Sequence, residues 1–311
     1  MATSALAKFQ NKWRENKFVC VGLDPTYEEL PQSVRQASRS ESILTFNKEI
    51  IDQTIDLALA YKPNAAFYEA EGEVGFKILR ETIEYIHKKD PEMPVILDAK
   101  RADIGNTNRG YVKSAFEDLG ADSITIHPYL GATLLDKGIR KLEALAPFIE
   151  RDDKIMFVLA RTSNPSAGEF QDLPISIKHL SEEYKSRFGD LEKLIDIAGS
   201  DTVPLYQVVA YIVANHWSID GNLGLVVGAT YPNELDAVRR VAPSLPILMP
   251  GLGAQGGDIK ASVKAGLDSH GQGLVVNSSR GIIYASKGDD FSEAAREATQ
   301  KLQREIDEAT K

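Results

Sequence analysis

Four charged side chains lie within six positions in the stretch LDAKRADIGNT, residues 97–107, directly after an apolar run. In a strand, residues i and i+2 share a face, so Asp98 and Lys100 are expected to point the same way. Asp103 follows closely enough to reach the same ammonium. Two carboxylates keep a lysine protonated, the form in which it can donate a proton. The alternative interpretation is a cluster of salt bridges on the surface.

Two other polar residues end apolar runs nearer the N-terminus. Lys62 closes one run in AYKPN, where Asn64 adds an amide suited to hydrogen bonding. Asp24 closes an earlier run in GLDP. Both could bind a ligand, but Lys62 could equally be a solvated strand end, and an Asp before Pro commonly forms a turn.

A glycine-rich loop and an arginine near the C-terminus indicate a phosphate site. The loop PGLGAQGGD, residues 250–258, follows an apolar run and contains Gln255, a side-chain donor. Arg280 follows the last run and could hold phosphate bidentately. The loop also contains the spacing G-x-G-x-x-G of dinucleotide sites, but that fingerprint normally opens a chain-initial βαβ unit. A glycine-rich turn beside a surface arginine is the simpler alternative.

Eight short apolar runs must position these residues. They are Phe18–Leu23, Leu59–Lys62, Val95–Ala99, Ser123–His127, Ile155–Ala160, Leu223–Gly228, Pro246–Met249 and Gly273–Asn277. Helical periodicity separates them, as in Ser42–Asp56 and Val74–His87. Near-continuous Val, Ile and Leu indicates strands buried on both faces of a parallel sheet. Eight such alternations predict a (β/α)8 TIM barrel, with a doubly wound open sheet as the alternative.

We expect residues 1–311 to form a single barrel domain, because no Pro-, Gly- or Ser-rich linker divides the chain and no repeat is found. The widest gap between strands, residues 163–222, predicts a long insertion that contains more than one helix. Insertions of this kind usually lie on the catalytic rim of a barrel. A solvated decoration is an equal alternative for its charged part, residues 181–193.

The formal net charge of −9 argues against a general nucleic-acid partner, which would need basic stripes. Cys20 is the only cysteine, so neither an intramolecular disulfide nor a cysteine-based zinc cage is possible. Five scattered histidines make a metal site improbable. The N-terminus lacks the apolar core of a signal peptide, and no apolar run is long enough to span a membrane. We therefore expect a cytoplasmic protein without membrane contact.

The polar residues at the strand ends, taken in order, resemble the orotidine 5′-monophosphate decarboxylase family, and the layout resembles its longer branch. The resemblance runs from CVGLDP, residues 20–25, to NSSRGI, residues 277–282. DAKRADIGNT, residues 98–107, is its most specific part, although D-x-K-x-x-D alone marks only the wider superfamily. One departure is Ser279, where shorter members usually have glycine before the phosphate-binding arginine.

The resemblance implies cofactor-independent decarboxylation of orotidine 5′-monophosphate to UMP, in pyrimidine biosynthesis. Lys100 would donate the proton that replaces CO2 at C6 of the pyrimidine, and Asp98 and Asp103 would position it. Asp103 and Thr107 would reach into the site of a neighbouring subunit, which implies a homodimer with shared active sites. The departing CO2 leaves a vinyl carbanion without an obvious electron sink, so a poised ammonium is the group the chemistry requires.

The resemblance also implies how the substrate is held. Lys62 and Asp24 would bind the ribose hydroxyls, and Ser163 would contact the pyrimidine. Gln255 and Arg280 would grip the phosphate. Phosphate binding far from the reacting carbon supplies remote binding energy that orients the ring.

Three rival functions stay open on the sequence. A phosphosugar decarboxylase or synthase of the same superfamily would need a divalent metal. A non-catalytic barrel that binds UMP would leave orotidine 5′-monophosphate intact. An NAD-dependent enzyme built on Gly251–Gly256 would bind nicotinamide and would not need Lys100.

Overall fold

Eight parallel strands close into a barrel in the computed structural model of this chain, which describes residues 3–36, 38–136, 139–218, 221–229, 232–251 and 259–310. The strands are β1 (Val19–Leu23), β2 (Ala60–Pro63), β3 (Ile96–Arg101), β4 (Ser123–Ile126), β5 (Ile155–Arg161), β6 (Leu223–Val227), β7 (Ile247–Pro250) and β8 (Leu274–Ser278). Strands adjacent in sequence are adjacent in the sheet, and β8 pairs with β1. Bridges from Tyr61 to Val95 and from Asn64 to Asp98 join β2 to β3. The predicted (β/α)8 barrel is confirmed, and the open sheet is wrong.

Each predicted run coincides with one strand, displaced by one or two residues at its ends. The strands β1, β2, β4, β6 and β8 are buried along their whole length, as expected for a parallel sheet covered by helices. β3 differs most, because its last four residues, 98–101, are partly or fully open to solvent. The exception matters, since these four residues include Asp98 and Lys100.

Helices surround the barrel. They are α1 (Ala5–Arg14), α2 (Arg39–Thr54), α3 (Ala65–Glu69), α4 (Glu73–Lys89), α5 (Gly105–Val112), α6 (Ala146–Ile149), α7 (Gly168–Gln171), α8 (Glu182–Arg187), α9 (Lys193–Ala198), α10 (Leu205–Ile212), α11 (Pro232–Val241), α12 (Ile259–Gly266), α13 (Arg280–Ile283) and α14 (Phe291–Ala309). Short 3-10 turns span Tyr27–Glu29, Gln32–Val34, Pro165–Ala167 and Ile177–His179, and π turns span Lys113–Asp118 and Val213–Trp217. None of the helices in the described ranges is long and apolar enough to cross a membrane.

The first helix, α1, closes one end of the barrel. Trp13 donates from Nε1 to the carbonyl of Leu274, at the start of β8, over 2.8 Å. The ring of Phe9 meets that of Phe157 edge to face, with centroids 6.0 Å apart. Because α1 packs at the N-terminal ends of the strands, the opposite end is left for the polar residues found in the sequence.

Two stretches extend the barrel pattern. The segment between β5 and β6 holds α7 to α10 and a short antiparallel pair, Pro174–Ser176 with Thr202–Pro204. A second antiparallel pair, Thr133–Asp136 with Ile139–Leu142, follows β4 and was not expected from the sequence. Its strands are only four residues long, which is close to the lower limit that sequence patterns can reveal.

Candidate active site

The carboxylate of Asp98 is the centre of a polar cluster at the C-terminal end of the barrel. Its Oδ2 lies 2.9 Å from Nζ of Lys62, and its Oδ1 lies 2.7 Å from Nζ of Lys100. Oδ1 also accepts a hydrogen bond of 2.8 Å from the hydroxyl of Thr125. The three partners come from β2, β3 and β4, so closure of the barrel brings them together.

Asp98 and Lys100 meet through a bulge rather than through regular alternation. Leu97 pairs with Ile124 and Arg101 pairs with Ile126, so three residues of β3 lie opposite Thr125 alone. Lys100 adopts a φ of +48°, which non-glycine residues rarely adopt. Such local strain persists only where the surroundings stabilise it. The prediction of a shared face is therefore right in outcome, but the regular strand geometry assumed for it is wrong.

Thr125 stabilises this bulge. Its Oγ1 accepts hydrogen bonds from the backbone amides of Ala99 and Lys100, each 3.0 Å long, while its proton goes to Asp98. Thr125 is 1% exposed. One buried hydroxyl thus satisfies two amides that the β-ladder leaves unpaired and orients the central carboxylate as well.

The cluster keeps both of its buried charges ionised. Burial would raise the pKa of Asp98, but Lys62 and Lys100 outweigh burial and hold this pKa well below its usual range. Burial would likewise lower the pKa of Lys62, but the charges of Asp24 and Asp98 raise it above its usual value. The side chain of Lys62 is 4% exposed and that of Lys100 is 50% exposed. The cluster therefore presents one accessible ammonium, oriented by a fixed negative charge.

Asp103 does not reach the ammonium of Lys100 in its own chain. Its Oδ1 accepts instead from the amide of Ile104 over 2.6 Å, and among the described residues no ion pair joins it to Lys100. Asn108 holds the loop, because its side chain bonds to both the amide and the carbonyl of Asp103. Thr107 is exposed on α5. The expectation that Asp103 returns to Lys100 is wrong within one chain, since its carboxylate bonds instead to the amide of Ile104 at the start of α5.

Asp24 and Asn64 connect the ends of β1 and β2. The amide of Asn64 donates to Oδ1 of Asp24 over 3.1 Å. The side chain of Asn64 caps α3 by accepting from the amide of Ala66 over 3.2 Å. The side chain of Asn64 thus caps α3, while Asp24 lies at the rim beside Lys62, and its negative charge helps to raise the pKa of Lys62.

Ser163 lies in a narrow space between the ends of three strands. A Cβ added to Gly228, after β6, would come within 2.7 Å of Cβ of Ser163. A Cβ added to Gly251, after β7, would lie 3.3 Å from Oγ of Ser163. Glycine at these two positions therefore leaves the room that Ser163 occupies, at the same end of the barrel as Asp98.

The expected phosphate site is described only in part. Arg280 begins α13 and is exposed, and no ion pair of its guanidinium occurs within the described ranges. Ser279 packs against Gly22, where an added Cβ would lie 1.8 Å from Oγ of Ser279. Gly22 therefore makes room for the side chain of Ser279. Gln255, with Gly253 and Gly256, lies outside the described residues.

Two polar residues of this site were missed by sequence reasoning. Thr125 is one of two polar residues in the buried strand SITI, and its position between two isoleucines was the available signal. Asn108 is fully buried within α5 and also donates to the carbonyl of Ala144 over 2.6 Å. No local pattern distinguishes Asn108 from the exposed Asn106 two positions earlier, and its partner Ala144 lies 36 positions away in the sequence.

Comparison with known proteins shows that the chain is similar to one family of enzymes. The sequence model of the Orotidine 5′-phosphate decarboxylase / HUMPS family matches residues 17–298. The chain is 40% identical over 307 residues to orotidine 5′-phosphate decarboxylase of Cellvibrio japonicus, covering 98% of this chain and 99% of that protein. It is 41% identical over 298 residues to the enzyme of the same name from Thermomicrobium roseum, covering 96% and 92%.

Solved structures agree with the sequence relatives. Leishmania donovani OMP decarboxylase superposes with a TM-score of 0.76 at 33% identity, covering 99% of both chains. Leishmania donovani UMP synthase superposes with a TM-score of 0.78 at 35% identity, covering 99% of this chain and 57% of that one. The barrel described above therefore corresponds to one part of the longer synthase.

Proposed function

This chain belongs to the Orotidine 5′-phosphate decarboxylase / HUMPS family and decarboxylates orotidine 5′-monophosphate to UMP in pyrimidine biosynthesis, and we propose that Lys100 delivers the proton that replaces CO2. The observation that carries the mechanism is the contact of 2.7 Å between Nζ of Lys100 and Oδ1 of Asp98. Lys100 is the accessible cation of the cluster, and the ion pair fixes where its proton points.

Loss of CO2 from C6 leaves an electron pair in the plane of the pyrimidine ring. The ring offers no ready sink for this pair, so the charge must be stabilised where it forms. A preorganised ammonium does this without the cost of reorganising water. The same ammonium then protonates C6, which forms the C–H bond of UMP and leaves Lys100 neutral until it regains a proton from solvent.

Asp98 has two roles in this proposal. Its charge orients both ammonium groups, and its low pKa keeps it anionic during turnover. It also lies beside Lys100, where the substrate carboxylate has to sit, so repulsion falls when CO2 departs. Removal of ground-state repulsion is the smaller contribution, because stabilisation of the developing carbanion acts on the transition state directly.

The remaining residues are proposed to hold the substrate. Lys62 and Asp24 bind the ribose hydroxyls at the ends of β2 and β1, and their adjacent positions and the charge interaction between them support this role. Ser163 contacts the pyrimidine from the end of β5. Arg280 binds the phosphate together with Gln255, and its exposed guanidinium at the end of β8 supports this role. Phosphate recognition by the loops after strands seven and eight is common in such barrels.

We further propose that the enzyme is a cytoplasmic homodimer in which Asp103 and Thr107 complete the site of the partner subunit. The carboxylate of Asp103 bonds to the amide of Ile104 and makes no described ion pair with Lys100 of its own chain. Ile104 beside it is 56% exposed, and Tyr129 and Leu130 in a nearby loop are 88% and 45% exposed. Large exposed apolar side chains around a catalytic loop are typical of an interface. Residues 1–311 are proposed to act as one catalytic domain, in keeping with a family match over residues 17–298.

The first test is to follow the loss of orotidine 5′-monophosphate absorbance with the purified full chain, in EDTA and without added cofactor. We expect turnover to UMP. Activity that disappears in EDTA and returns with a divalent metal would instead indicate a metal-dependent relative. Binding of UMP without turnover would indicate a nucleotide-binding barrel.

A further inference from the structure

The segment that carries Ser163 is held by a glutamine from the neighbouring insertion. Oε1 of Gln171, the last residue of α7, accepts from the amide of Thr162 over 2.8 Å. Nε2 of Gln171 also donates to Oγ1 of Thr162 over 3.0 Å. The hydroxyl of Thr162 in turn donates to Oδ1 of Asn164 over 2.6 Å. The side-chain amide of Gln171 thus constrains Thr162 directly and Asn164 through Thr162, and these two residues flank Ser163.

The residue after Gln171 holds the same segment from the strand side. The carboxylate of Asp172 binds Arg161 with two contacts, 2.9 Å to Nε and 3.0 Å to Nη2. Nη1 of Arg161 donates to the carbonyl of Thr162 over 2.8 Å. The side chain of Arg161 is 7% exposed. The contact to Nη2 is a hydrogen bond and the contact to Nε is an ion pair, so Asp172 holds a buried arginine at the end of β5. The bond from Arg161 to the carbonyl of Thr162 extends this constraint to the residue before Ser163.

The strand itself turns at this point. Val226 pairs with Leu159 and Val227 pairs with Arg161, so Ala160 is the extra residue of a β-bulge. A bulge re-aims the side chains that follow it. Ser163 is then confined by Gly228 and Gly251, as described above. Contacts from both flanks and two close glycines leave little freedom to its hydroxyl.

We propose that Gln171 and Asp172 are positioning residues that hold the hydroxyl of Ser163 against the pyrimidine, so that a part of the insertion sets recognition of the base. The inference rests on the proposed function, since it takes the base contact of Ser163 from there. Neither residue has to touch the substrate. Each acts through the backbone of Thr162, and the effect is confined to the base end of the ligand.

Loss of either side chain is expected to leave the fold intact, which separates a positioning role from a purely structural one. The side chain of Asp172 is 42% exposed, so its loss removes no core packing. Arg161 keeps Glu234 as an acidic neighbour at 3.5 Å and keeps its bond to the carbonyl of Thr162. Variants of Gln171 and Asp172 are therefore expected to fold, and any loss of affinity should follow the base rather than the whole ligand.

The experiment measures binding of UMP and of ribose 5-phosphate, which lacks the base, to the full chain by calorimetry. The variants are Gln171→Ala, Asp172→Ala, Ser163→Ala and the double variant Gln171→Ala with Ser163→Ala. Glu169→Ala is the matched control, because Glu169 is exposed on the same short helix. Losing one neutral hydrogen-bond partner is expected to weaken UMP binding of Gln171→Ala about tenfold. Binding of ribose 5-phosphate should stay within about twofold of the wild type.

The double variant decides whether Gln171 acts through Ser163. Residues coupled in one network give non-additive losses, so Gln171→Ala should cost less than about twofold once Ser163 is alanine. Equal weakening of both ligands, or the full cost of Gln171→Ala in the Ser163→Ala background, would overturn the inference alone. If Ser163→Ala leaves UMP affinity unchanged, the proposed base contact and the inference both fail. The role of Lys100 would still stand in that case.

Discussion

The ammonium of Lys100 lies 2.7 Å from Oδ1 of Asp98, at a backbone φ of +48° for the lysine. The strained backbone and the ion pair belong together, because the bulge in β3 brings residue 100 back toward residue 98. Thr125 stabilises the bulge and the ion pair, because its hydroxyl accepts hydrogen bonds from two backbone amides and donates one to the carboxylate of Asp98. The proton donor is thereby positioned before substrate arrives, which is the condition for electrostatic catalysis.

Replacing Lys100 tests the proton donor. Lys100→Ala should lower kcat by more than about 10,000-fold, because both carbanion stabilisation and protonation are lost. The affinity for UMP should remain within about tenfold of the wild type, because the residues proposed to bind ribose and phosphate are unchanged. Lys100→Asn is a second variant that suits the positive φ at this position. Lys113→Ala, at an exposed lysine paired with Asp118, is the control. Turnover near the wild-type rate in either Lys100 variant would contradict the mechanism.

Mixing two inactive variants tests whether Asp103 serves the partner subunit. Lys100→Ala and Asp103→Ala chains should each be nearly inactive alone. After exchange at equal amounts, half of the dimers are mixed and each has one intact site, so about a quarter of the activity should return. Mass spectrometry of the mixture confirms that subunits exchange. No recovery under those conditions would assign Asp103 to its own chain's site.

Removing the guanidinium of Arg280 tests the phosphate site. Arg280→Ala should raise KM for orotidine 5′-monophosphate about ten- to a hundredfold, as expected for loss of a charge-assisted contact. Phosphite dianion added to the variant should restore part of kcat/KM by filling the vacated anion site. Arg304→Ala, far along α14, serves as the control. An unchanged KM would place the phosphate elsewhere.

Adding one methyl group behind Ser163 tests the narrow space at the strand ends. The Cβ of Gly228→Ala would lie 2.7 Å from Cβ of Ser163, and 3.0 Å from its backbone nitrogen. The serine must shift, so kcat/KM should fall about ten- to a hundredfold. Gly189→Ala is the matched control, because an added Cβ there meets nothing within 4 Å. Equal activity of the two variants would argue against any role for Ser163.

The stability of the barrel in acid should depend on Asp122, at the end opposite the active site. Its carboxylate contacts Nζ of Lys8 at 2.8 Å and Nε2 of His87 at 3.0 Å, and accepts from the amide of Val95 over 3.0 Å. Burial would raise the pKa of Asp122, but His87 and Lys8 outweigh it and lower this pKa. A lowered folded pKa contributes stability above the unfolded pKa, about 4, which is lost as the pH falls through the folded value.

Urea unfolding measures this contribution. Asp122→Ala should lower the free energy of unfolding at pH 7 by about 3–5 kcal/mol, because it leaves Lys8 buried without its partner. The wild type should lose stability as the pH falls below about 5 and through the lowered pKa of Asp122, and Asp122→Asn should lose less over the same range. If the free energy of unfolding falls equally steeply with pH in the two proteins, Asp122 does not control the loss of stability in acid.

Much of the fold could be predicted from the sequence because its signals are local. Buried parallel strands are runs of Val, Ile and Leu, and each run ends where a polar residue such as Asp24, Lys62 or Asp98 begins. In a barrel the C-terminal strand ends converge, so listing these residues already outlined the site. The order of the residues then indicated the family, although the short hairpin after β4 carried no recognisable pattern.

Only the tertiary structure decided how these residues are held. The bulge at Lys100 depends on Thr125 of the next strand, and the segment of Ser163 depends on Gln171 and Asp172 across a turn of the insertion. The direction of Asp103 depends on Asn108, whose further partner Ala144 lies 36 positions away. Apolar periodicity reports which face of an element is buried, whereas a hydrogen bond between distant residues forms only after the barrel has closed. For that physical reason the sequence determined which groups gather at this end of the barrel, and the structure decided which of them touch.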